Sequence, residues 1–390
     1  MDILRESLEI KEKVILHRRA VHKIAEIGMN LEKTVDYVIG ALEKIGCKPH
    51  RMGKAGVECI IGKNKGECVL LRADMDALPI KEETKLDFKC EKGNMHACGH
   101  DMHTAMLLGC AEILKKHEDE LRRDVKLMFQ GGEELLMGAR DMIKEGILDT
   151  PPVKSAGMIH LITDTDLNTG TVICPRHGAC SPMVDLFEIE VKGKGTHGAM
   201  AREGADPINT LAHIAISLHS IVTRETGMNE PLALTLGGIH CGRYPNVIPE
   251  KGYMSGSVRS YDEELHRYAK KRIEQMCDGV AKALGTEASV NFFSSAPSLL
   301  NDKRLTDSAV NVLSRVLGRE KVILGGDEKS AGSEDFAVVS HSVPSVMLAL
   351  MAGRKSDGYK YPLHHPKTDF DENALPYGTS VYVALALEIL

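Results

Sequence analysis

The chain contains 390 residues, which at roughly 100–200 residues per domain predicts two or three domains with hydrophobic cores. Hydrophobic residues make up 43% of the sequence and charged residues 27%, a composition that excludes a disordered tail. The net charge of −6 provides no broad basic field for phosphate backbones, so we expect no nucleic-acid partner.

The amino-terminal segment and the cysteines indicate the compartment. Residues 1–19 mix charged and apolar positions and lack the apolar run of a signal peptide, which predicts a cytoplasmic protein. The ten cysteines include no Cys-x-x-Cys pair, so we expect reduced thiols rather than disulfides or a zinc ribbon. The longest uncharged stretch, residues 336–353, includes a histidine and a proline; we interpret it as a buried helix, turn and strand, with no membrane span.

Hydrophobic periodicity predicts the elements in chain order. Apolar positions recur at helical spacing over residues 3–27 and 31–46, which indicates a helical hairpin. Strand and helix patterns then alternate: strands at 57–61 and 68–72, a helix at 104–116, a strand at 125–130, a helix at 137–145 and a strand at 156–161. Such alternation is typical of a mixed, largely parallel sheet between helices.

The pattern changes after residue 182. Strand 184–192, helix 205–222, strands 232–237 and 253–259, helix 262–284 and strand 288–293 follow in order. This order is the ferredoxin-like split motif, an α+β unit. Helices at about 303–317 and 333–340, a strand at 344–350 and a helix from about 372 then resume the first pattern. We therefore predict a discontinuous α/β domain, residues 1–182 and 295–390, with a ferredoxin-like domain inserted at 183–294.

The densest group of chemically active side chains is the segment MHACGHDMHTA, residues 95–105. Cys98 and His100 are two residues apart, so in an extended or turn conformation both can point to one side, as two ligands of one metal must. The alternative is a histidine-rich helix cap, in which Asp101 caps the helix and the imidazoles are solvated.

Other polar side chains stand where predicted strands end. They are Asp74 and Asp76 after the strand 68–72, Glu133 and Glu134 after 125–130, His160 near the end of 156–161, and His364 and His365 in a loop before the last helix. Each has a structural alternative: a polar turn, an acidic helix start, a core histidine or a solvated surface pair. Because ligands of open α/β sheets bind at the carboxyl ends of the strands, we favour one shared site.

Counting the candidate ligands indicates two metals. The five ligands are Cys98, His100, Glu134, His160 and one of His364 and His365. Five are too many for one catalytic tetrahedral zinc with an open position, which favours two ions about 3.5–4 Å apart, bridged by water or hydroxide. Glu133 is then left as the general base. The thiolate is compatible with zinc, cobalt or nickel, and the other ligands also with manganese.

Several segments together resemble a known family. They are RADMDALPI, MHACGHDMHTA, the Gly-Glu-Glu strand end, GTHGAM, NVIPEKGYMSGSVRS, GSEDFA and LHHP, spread from residue 72 to 366. In this order they resemble the M20 metallopeptidases. The branch they are most similar to is the aminoacylase, hippurate hydrolase and auxin-conjugate amidohydrolase group.

The resemblance implies a role for each matching residue. Cys98, His100, Glu134, His160 and His364 match the metal ligands of the family, and Glu133 matches its catalytic base. His197 matches a histidine that reaches the partner subunit's site and stabilises the oxyanion, Asn246 and Arg259 match positions near the substrate carboxylate, and Asp76 resembles a residue that orients a ligand. The resemblance further implies two divalent metals per subunit, a catalytic domain at 1–182 and 295–390, and dimerisation through the inserted domain.

The leading hypothesis is a metal-dependent amidohydrolase that cleaves N-acyl amino acids, small molecules, into a carboxylate and a free amino acid. One alternative is a metallo-dipeptidase or carboxypeptidase, although the sequence offers no clear anionic partner for a free amine. A second alternative is a noncatalytic protein that binds amino-acid conjugates, which the intact ligand set and the retained Glu133 disfavour.

Overall fold

Helices and strands alternate along the first part of the chain in the computed structural model, which describes residues 1–63, 66–326 and 330–390. The helices are α1 (Ile3–Glu9), α2 (Lys11–Ile24), α3 (Glu32–Lys44), α4 (His100–Lys116), α5 (Gly138–Lys144), α6 (Pro207–Arg224), α7 (Glu263–Ala283), α8 (Lys303–Leu317), α9 (Ala337–Ser340) and α10 (Leu375–Ala384). The strands are β1 (His50–Met52), β2 (Gly56–Ile61), β3 (Cys68–Asp74), β4 (Asp124–Gln130), β5 (Val153–Ile162), β6 (Val172–Cys174), β7 (Gly178–Ser181), β8 (Met183–Lys192), β9 (Thr196–His197), β10 (Leu232–Cys241), β11 (Val247–Ile248), β12 (Lys251–Ser260), β13 (Glu287–Ala296), β14 (Leu299–Asn301), β15 (Val322–Leu324) and β16 (Ser345–Met351).

The chain divides into two compact units. The first comprises Met1–Cys180 and most of the chain from Leu299 to Leu390, and the second comprises Ser181–Ser298 and the short segment Ser330–Ser333. The sequence placed the inserted domain at 183–294 and assigned residues 330–333 to the large domain. Ser333 instead accepts a hydrogen bond from Arg259 of the second unit, at 2.8 Å.

The first unit contains an eight-stranded sheet in the order β1-β2-β4-β3-β5-β16-β6-β15. The four central strands β4, β3, β5 and β16 run parallel, whereas β1, β2 and β6 pair antiparallel to their inner neighbours. The prediction of a mixed, largely parallel sheet is confirmed. Because the central strands are parallel, their carboxyl ends meet at one edge, which is where the candidate residues stand.

Both faces of this sheet are covered. Along β3, Val69 and Leu71 pack into the core with α2, α4 and α10, whereas Cys68 and Leu70 pack into the core with α5 and α9. All residues of β3 and β4 are buried, as expected of parallel strands with helices on both sides. No helix of the described residues is long and apolar enough to span a bilayer, and the uncharged stretch 336–353 forms a helix, a turn and a strand as predicted.

The second unit contains a four-stranded antiparallel sheet in the order β10-β12-β8-β13. Its chain order is strand, helix, strand, strand, helix, strand, which is the ferredoxin-like arrangement. Phe187, Ile189 and Val191 of β8 alternate into a core with apolar residues of α6 and α7. Each helix starts at an aspartate that accepts a backbone hydrogen bond, Asp206 for α6 and Asp262 for α7.

Some predicted boundaries differ from the structure. Helix α4 begins at His100 rather than at 104, and the predicted helix 333–340 is confined to Ala337–Ser340. Residues 334 and 335 therefore precede this helix, and their side chains face the buried interior. The short strands β1, β6, β14 and β15 were not predicted, because three residues show no measurable periodicity.

Candidate metal centre

The turn that precedes α4 places Cys98 and His100 at the carboxyl edge of the sheet. Gly99 caps the helix with a φ of 86°, a left-handed conformation that glycine adopts without strain. A Cβ at this position would lie 3.0 Å from Leu161 Cδ1 and 3.1 Å from Phe370 Cζ. The Cys-Gly-His order thus follows from a tight turn packed against β5 and the carboxyl-terminal segment.

Cys98, His100 and His160 form the first group of candidate ligands, with donor atoms within 4.8 Å of one another. His100 Nδ1 is hydrogen-bonded to the backbone oxygen of Asp76 at 2.8 Å, and His160 Nδ1 is hydrogen-bonded to the backbone oxygen of Leu161 at 2.8 Å. In neutral rings both Nε2 atoms are therefore free to bind a cation. His100 Nε2 is buried without a hydrogen-bond partner among the described residues, as expected of an atom that faces a metal position.

Cys98, Glu134 and His364 form the second group, also within 4.8 Å of one another. Cys98 belongs to both groups, so its sulfur is placed between two cation positions. His364 Nε2 lies 3.4 Å from Glu134 Oε1, and the backbone N–H of His364 donates to Ala97 O at 3.0 Å. The neighbouring His365 stacks on Tyr361 at 4.6 Å, so it is His364 of this pair that joins the group.

Glu133 adjoins both groups. Its Oε2 lies 3.9 Å from His100 Nε2, and the two carboxylates Glu133 and Glu134 approach His100 within 4.8 Å. The carboxylate of Asp76 accepts the backbone N–H groups of Glu133 and Glu134, at 3.1 and 3.2 Å. Burial raises the pKa of Glu133 well above its usual range, and the nearby Glu334 and Glu134 add to this effect. A carboxyl with a raised pKa beside a cation position is suited to accept and release a proton.

The donor set fits divalent cations. Burial by itself would raise the pKa of the Cys98 thiol, but the positive charge of His100 and His160 in their protonated forms and their hydrogen bonds lower it to about 6 in the metal-free protein, which favours the thiolate. Thiolate, imidazole and carboxylate together suit zinc, cobalt or nickel, and the oxygen and nitrogen donors also suit manganese. The residues present therefore fit two metal ions that share Cys98.

The structure contradicts the alternative of a solvated helix cap. His96, His100 and His103 are all buried, and Asp101 caps nothing. Its Oδ2 instead accepts from Arg18 Nε at 3.2 Å and from the buried His22 at 2.9 Å. These contacts tie the first turn of α4 to α2.

His364 has a strained backbone that a hydrogen-bonded loop supports. Its φ of 65° lies in the left-handed region, which is costly for a residue with a Cβ. The buried Thr368 closes the loop, because its hydroxyl accepts from His365 N at 3.2 Å and donates to Pro362 O.

We predict that Thr368→Val weakens the binding of one of two metals by about 10–100-fold and spares the other, because the loop that holds His364 loses both hydroxyl hydrogen bonds. Isothermal titration of the metal-free chain would measure both affinities, and Thr368→Ser should recover the loss. Thr379→Val is a matched control, since the Thr379 hydroxyl is buried without a hydrogen-bond partner among the described residues. Equal affinities in Thr368→Val and wild type would refute the role of the loop.

The other predicted site residues lie in the second unit. His197 is exposed in β9, and its Nδ1 accepts the backbone N–H of Ala199 at 3.2 Å, which places the proton of the neutral ring on Nε2. Asn246 is brought next to it, since Gly198 N donates to Asn246 O at 2.8 Å. Arg259 lies on β12, half-buried, and burial lowers its pKa.

A buried ion network beneath the candidate ligands was not predicted from the sequence. Arg72 of β3 pairs with Asp74 at 2.7 Å, Glu334 at 2.9 Å and Asp335 at 3.0 Å, and all four side chains are almost fully buried. Asp74 also accepts from His103 Nδ1 at 2.6 Å. An arginine within the apolar run of β3 was the available signal, since a buried charge requires partners.

Comparison with known proteins identifies the family. The family model described as Peptidase family M20/M25/M40 matches residues 70–388. The chain is 33% identical to thermostable carboxypeptidase 1 of Saccharolobus solfataricus, across 97% of this chain and 96% of that protein. It is 32% identical to the N-acetyl-L-cysteine deacetylase of Bacillus subtilis, across 94% of this chain and 85% of that protein.

A solved structure agrees with these relatives. The crystal structure of the YXEP protein of Bacillus subtilis, described as a dinuclear metal binding peptidase of family M20, superposes with a TM-score of 0.76. It is 29% identical and covers 97% of either chain. The similarity to the M20 metallopeptidases inferred from the sequence motifs is confirmed, and the chain belongs to peptidase family M20/M25/M40.

Proposed function

We propose that this chain is a dinuclear-metal amidohydrolase that cleaves the amide bond of N-acyl amino acids. The observation that carries the proposal is the sharing of Cys98 between two groups of ligands, with the Glu133 carboxylate beside them. The B. subtilis relatives named for a dinuclear metal site and for deacetylation of N-acetylcysteine support it.

The residues of the candidate metal centre have separate roles in the proposed hydrolysis. Cys98, His100 and His160 would hold one divalent metal, and Cys98, Glu134 and His364 the other. When bound, the metals act as Lewis acids that polarise the amide carbonyl and lower the pKa of water. Glu133 takes a proton from the attacking water and passes it to the nitrogen of the leaving amine.

Residues of the second unit complete the proposal. His197 reaches the partner subunit's site. There its Nε2, which carries the proton of the neutral ring, donates a hydrogen bond to the oxyanion that develops on the substrate carbonyl oxygen. Arg259, whose guanidinium can bind a carboxylate through two parallel hydrogen bonds, holds the free carboxylate of the amino acid together with Asn246. Asp76 orients His100 and fixes the backbone of the glutamate pair.

A carboxypeptidase or dipeptidase is the second candidate. It is favoured by the relative of S. solfataricus, named as a carboxypeptidase and 33% identical. Both reactions cleave an amide beside an amino acid with a free carboxylate. They differ on the other side of the bond, where a dipeptide carries a charged amine and an N-acetyl group does not.

A substrate panel separates these candidates. The purified protein is treated with a chelator, reloaded with zinc, cobalt, nickel or manganese, and assayed for amine release from N-acetyl amino acids, longer N-acyl amino acids and dipeptides. Metal-restored cleavage of the acylated substrates would support the amidohydrolase, and cleavage of dipeptides alone would replace it by the peptidase. Two bound metals without cleavage of any substrate would favour the noncatalytic binding protein.

We further propose a cytoplasmic homodimer formed through the second unit. All ten cysteines are free thiols, which suits a reducing compartment. Strand β10 is an edge of its sheet, and Ile239 on β10 and Ile216 on α6 are 50% and 70% exposed. An open edge beside exposed apolar residues can be covered by a second copy.

The dimer predicts a molar mass of twice 42.7 kDa by light scattering after size-exclusion chromatography. Ile239→Lys should shift the protein to the monomer, because it places a charge beside the edge that pairs. Ile323→Lys is a control in the first unit, where the exposed isoleucine lies outside the proposed interface. A wild-type mass of one chain at micromolar concentration would contradict the dimer.

A further inference from the structure

The segment GSEDFA, residues 332–337, has no role in the mechanism above, yet it contributes two buried carboxylates. Asp335 is fully buried, and Glu334 is 5% exposed. Both precede α9 and face the carboxyl edge of the sheet below Glu133, with carboxylate oxygens of Glu133, Glu334 and Asp335 within 4.8 Å of one another. We propose that Asp335 is a positioning residue, which fixes the turn that carries Glu133 and Glu134; this inference rests on the function proposed above.

Asp335 contacts both ends of that turn. Before the turn, Gln130 Nε2 lies 2.8 Å from both carboxylate oxygens of Asp335. After the turn, the backbone N–H of Ala139 donates to Asp335 Oδ2 at 2.9 Å. Asp76 accepts the N–H groups in the middle of the turn. Two buried carboxylates thus hold the segment between β4 and α5 at three points.

The turn has little freedom to settle elsewhere. Gly132 has a φ of 71°, and a Cβ on Gly131 would lie 2.8 Å from Ala55 Cβ. A Cβ on Gly138 would lie 1.7 Å from Gly131 O, so the two ends of the turn are in backbone contact. Catalytic groups must be held to within about 0.5 Å, which makes the closure of this turn a determinant of the rate.

Arg72 fixes the position of Asp335 in turn. Its Nε donates to Gln130 Oε1 at 3.1 Å, one terminal nitrogen donates to Asp74 and Glu334, and the other donates to Asp335 at 3.0 Å and lies 2.9 Å from Glu334 Oε1. The groups that form hydrogen bonds with the Asp335 carboxylate are all N–H donors, and they belong to Arg72, Gln130 and Ala139. A neutral amide of the same shape cannot satisfy them, because its NH₂ group would face at least one of these donors.

Asp335→Asn therefore tests the role with almost no change in volume. We expect kcat to fall about 10–100-fold while KM stays within about twofold, as for loss of a group that supports the reacting ones. At saturating metal the variant should still bind two ions, but the visible spectrum of the cobalt form should change, because Glu134 is displaced. Asp185→Asn is the matched control: this buried aspartate pairs with His266 and Lys270 in the second unit, and its loss should leave kcat and the spectrum unchanged.

The double variant Gln130→Glu with Asp335→Asn gives a rescue. The carboxylate then stands at position 130, where it accepts from Arg72 and from the new amide, so at least about fivefold of the lost kcat should return. If Asp335→Asn does not fold, the double variant is the test. Turnover of the double variant within about tenfold of wild type then supports the proposal.

The proposal is overturned by an unchanged kcat and cobalt spectrum in Asp335→Asn, by a loss of kcat that the double variant does not reverse, or by a double variant that stays inactive or unfolded. The cobalt spectrum also separates this inference from the proposed function. A wild type that binds two cobalt ions but cleaves no substrate would refute the amidohydrolase, and the spectrum of the Asp335→Asn variant would still report whether Glu134 had moved.

Discussion

Glu133→Gln is expected to lower kcat by about 10²–10⁴-fold while the chain keeps two metals. The amide has the shape of the carboxylate but cannot accept the proton of the attacking water. Glu133 is a member of neither ligand group that contains Cys98, so its neutralisation should leave the metal content intact. Amine release at saturating substrate and metal analysis of the same preparation test both parts.

The neighbouring Glu134 supplies the matched comparison. Glu134→Gln changes the same kind of side chain one residue along the turn, but Glu134 belongs to the group with Cys98 and His364. The Glu134→Gln variant should lose one of its two metals, whereas the Glu133→Gln variant should lose none. Full turnover in Glu133→Gln, or the same metal content in both variants, would show that the roles of the two carboxylates are wrongly assigned.

Cys98→Ser is the second substitution with a large effect, and it should weaken both metals rather than one. Cys98 is the only residue common to the groups Cys98, His100, His160 and Cys98, Glu134, His364 that the described residues form. An alcohol is far harder to deprotonate than this thiol, whose pKa lies near 6. We expect each affinity to fall by at least about 100-fold, beyond the usual effect of losing a supporting residue.

Cys110→Ser is the control for this variant. Cys110 lies in α4, fully buried, and belongs to neither of these groups. The Cys110→Ser variant should therefore keep both metals even if its folded state is less stable than that of the wild type. Titration with zinc of the two variants measures the difference. A Cys98→Ser chain that lost a single metal, with the other bound as in wild type, would contradict the shared sulfur.

The carboxyl edge of the sheet could be predicted because the chemistry there is local in sequence. The strand patterns 68–72 and 125–130 end at polar residues, and 156–161 has His160 one residue before its end. The parallel order of β4, β3 and β5 brings those ends together. The candidate ligands Cys98 and His100 share one turn, so their spacing alone limits where they can point. The choice of His364 over His365 came from the resemblance, since two adjacent histidines in a loop have no periodicity.

The supports of these residues could not be predicted, because they depend on contacts across the chain. Arg72 meets Asp335 over 263 positions, and Arg18 meets Asp101 over 83. In the sequence, Glu334 and Asp335 have the pattern of a helix start, and the predicted helix from 333 included them. In the structure that helix begins only at Ala337, and both carboxylates point inward, where Arg72 offsets the cost of burying them.

The most direct test of the central claim is a metal titration of the chelator-treated protein, with hydrolysis of an N-acetyl amino acid followed at each step. Two ligand groups that share one thiolate predict no turnover without metal and a plateau once two ions per chain are bound. Full turnover in the metal-free protein, or saturation of binding at a single ion, would contradict the two-metal hydrolase.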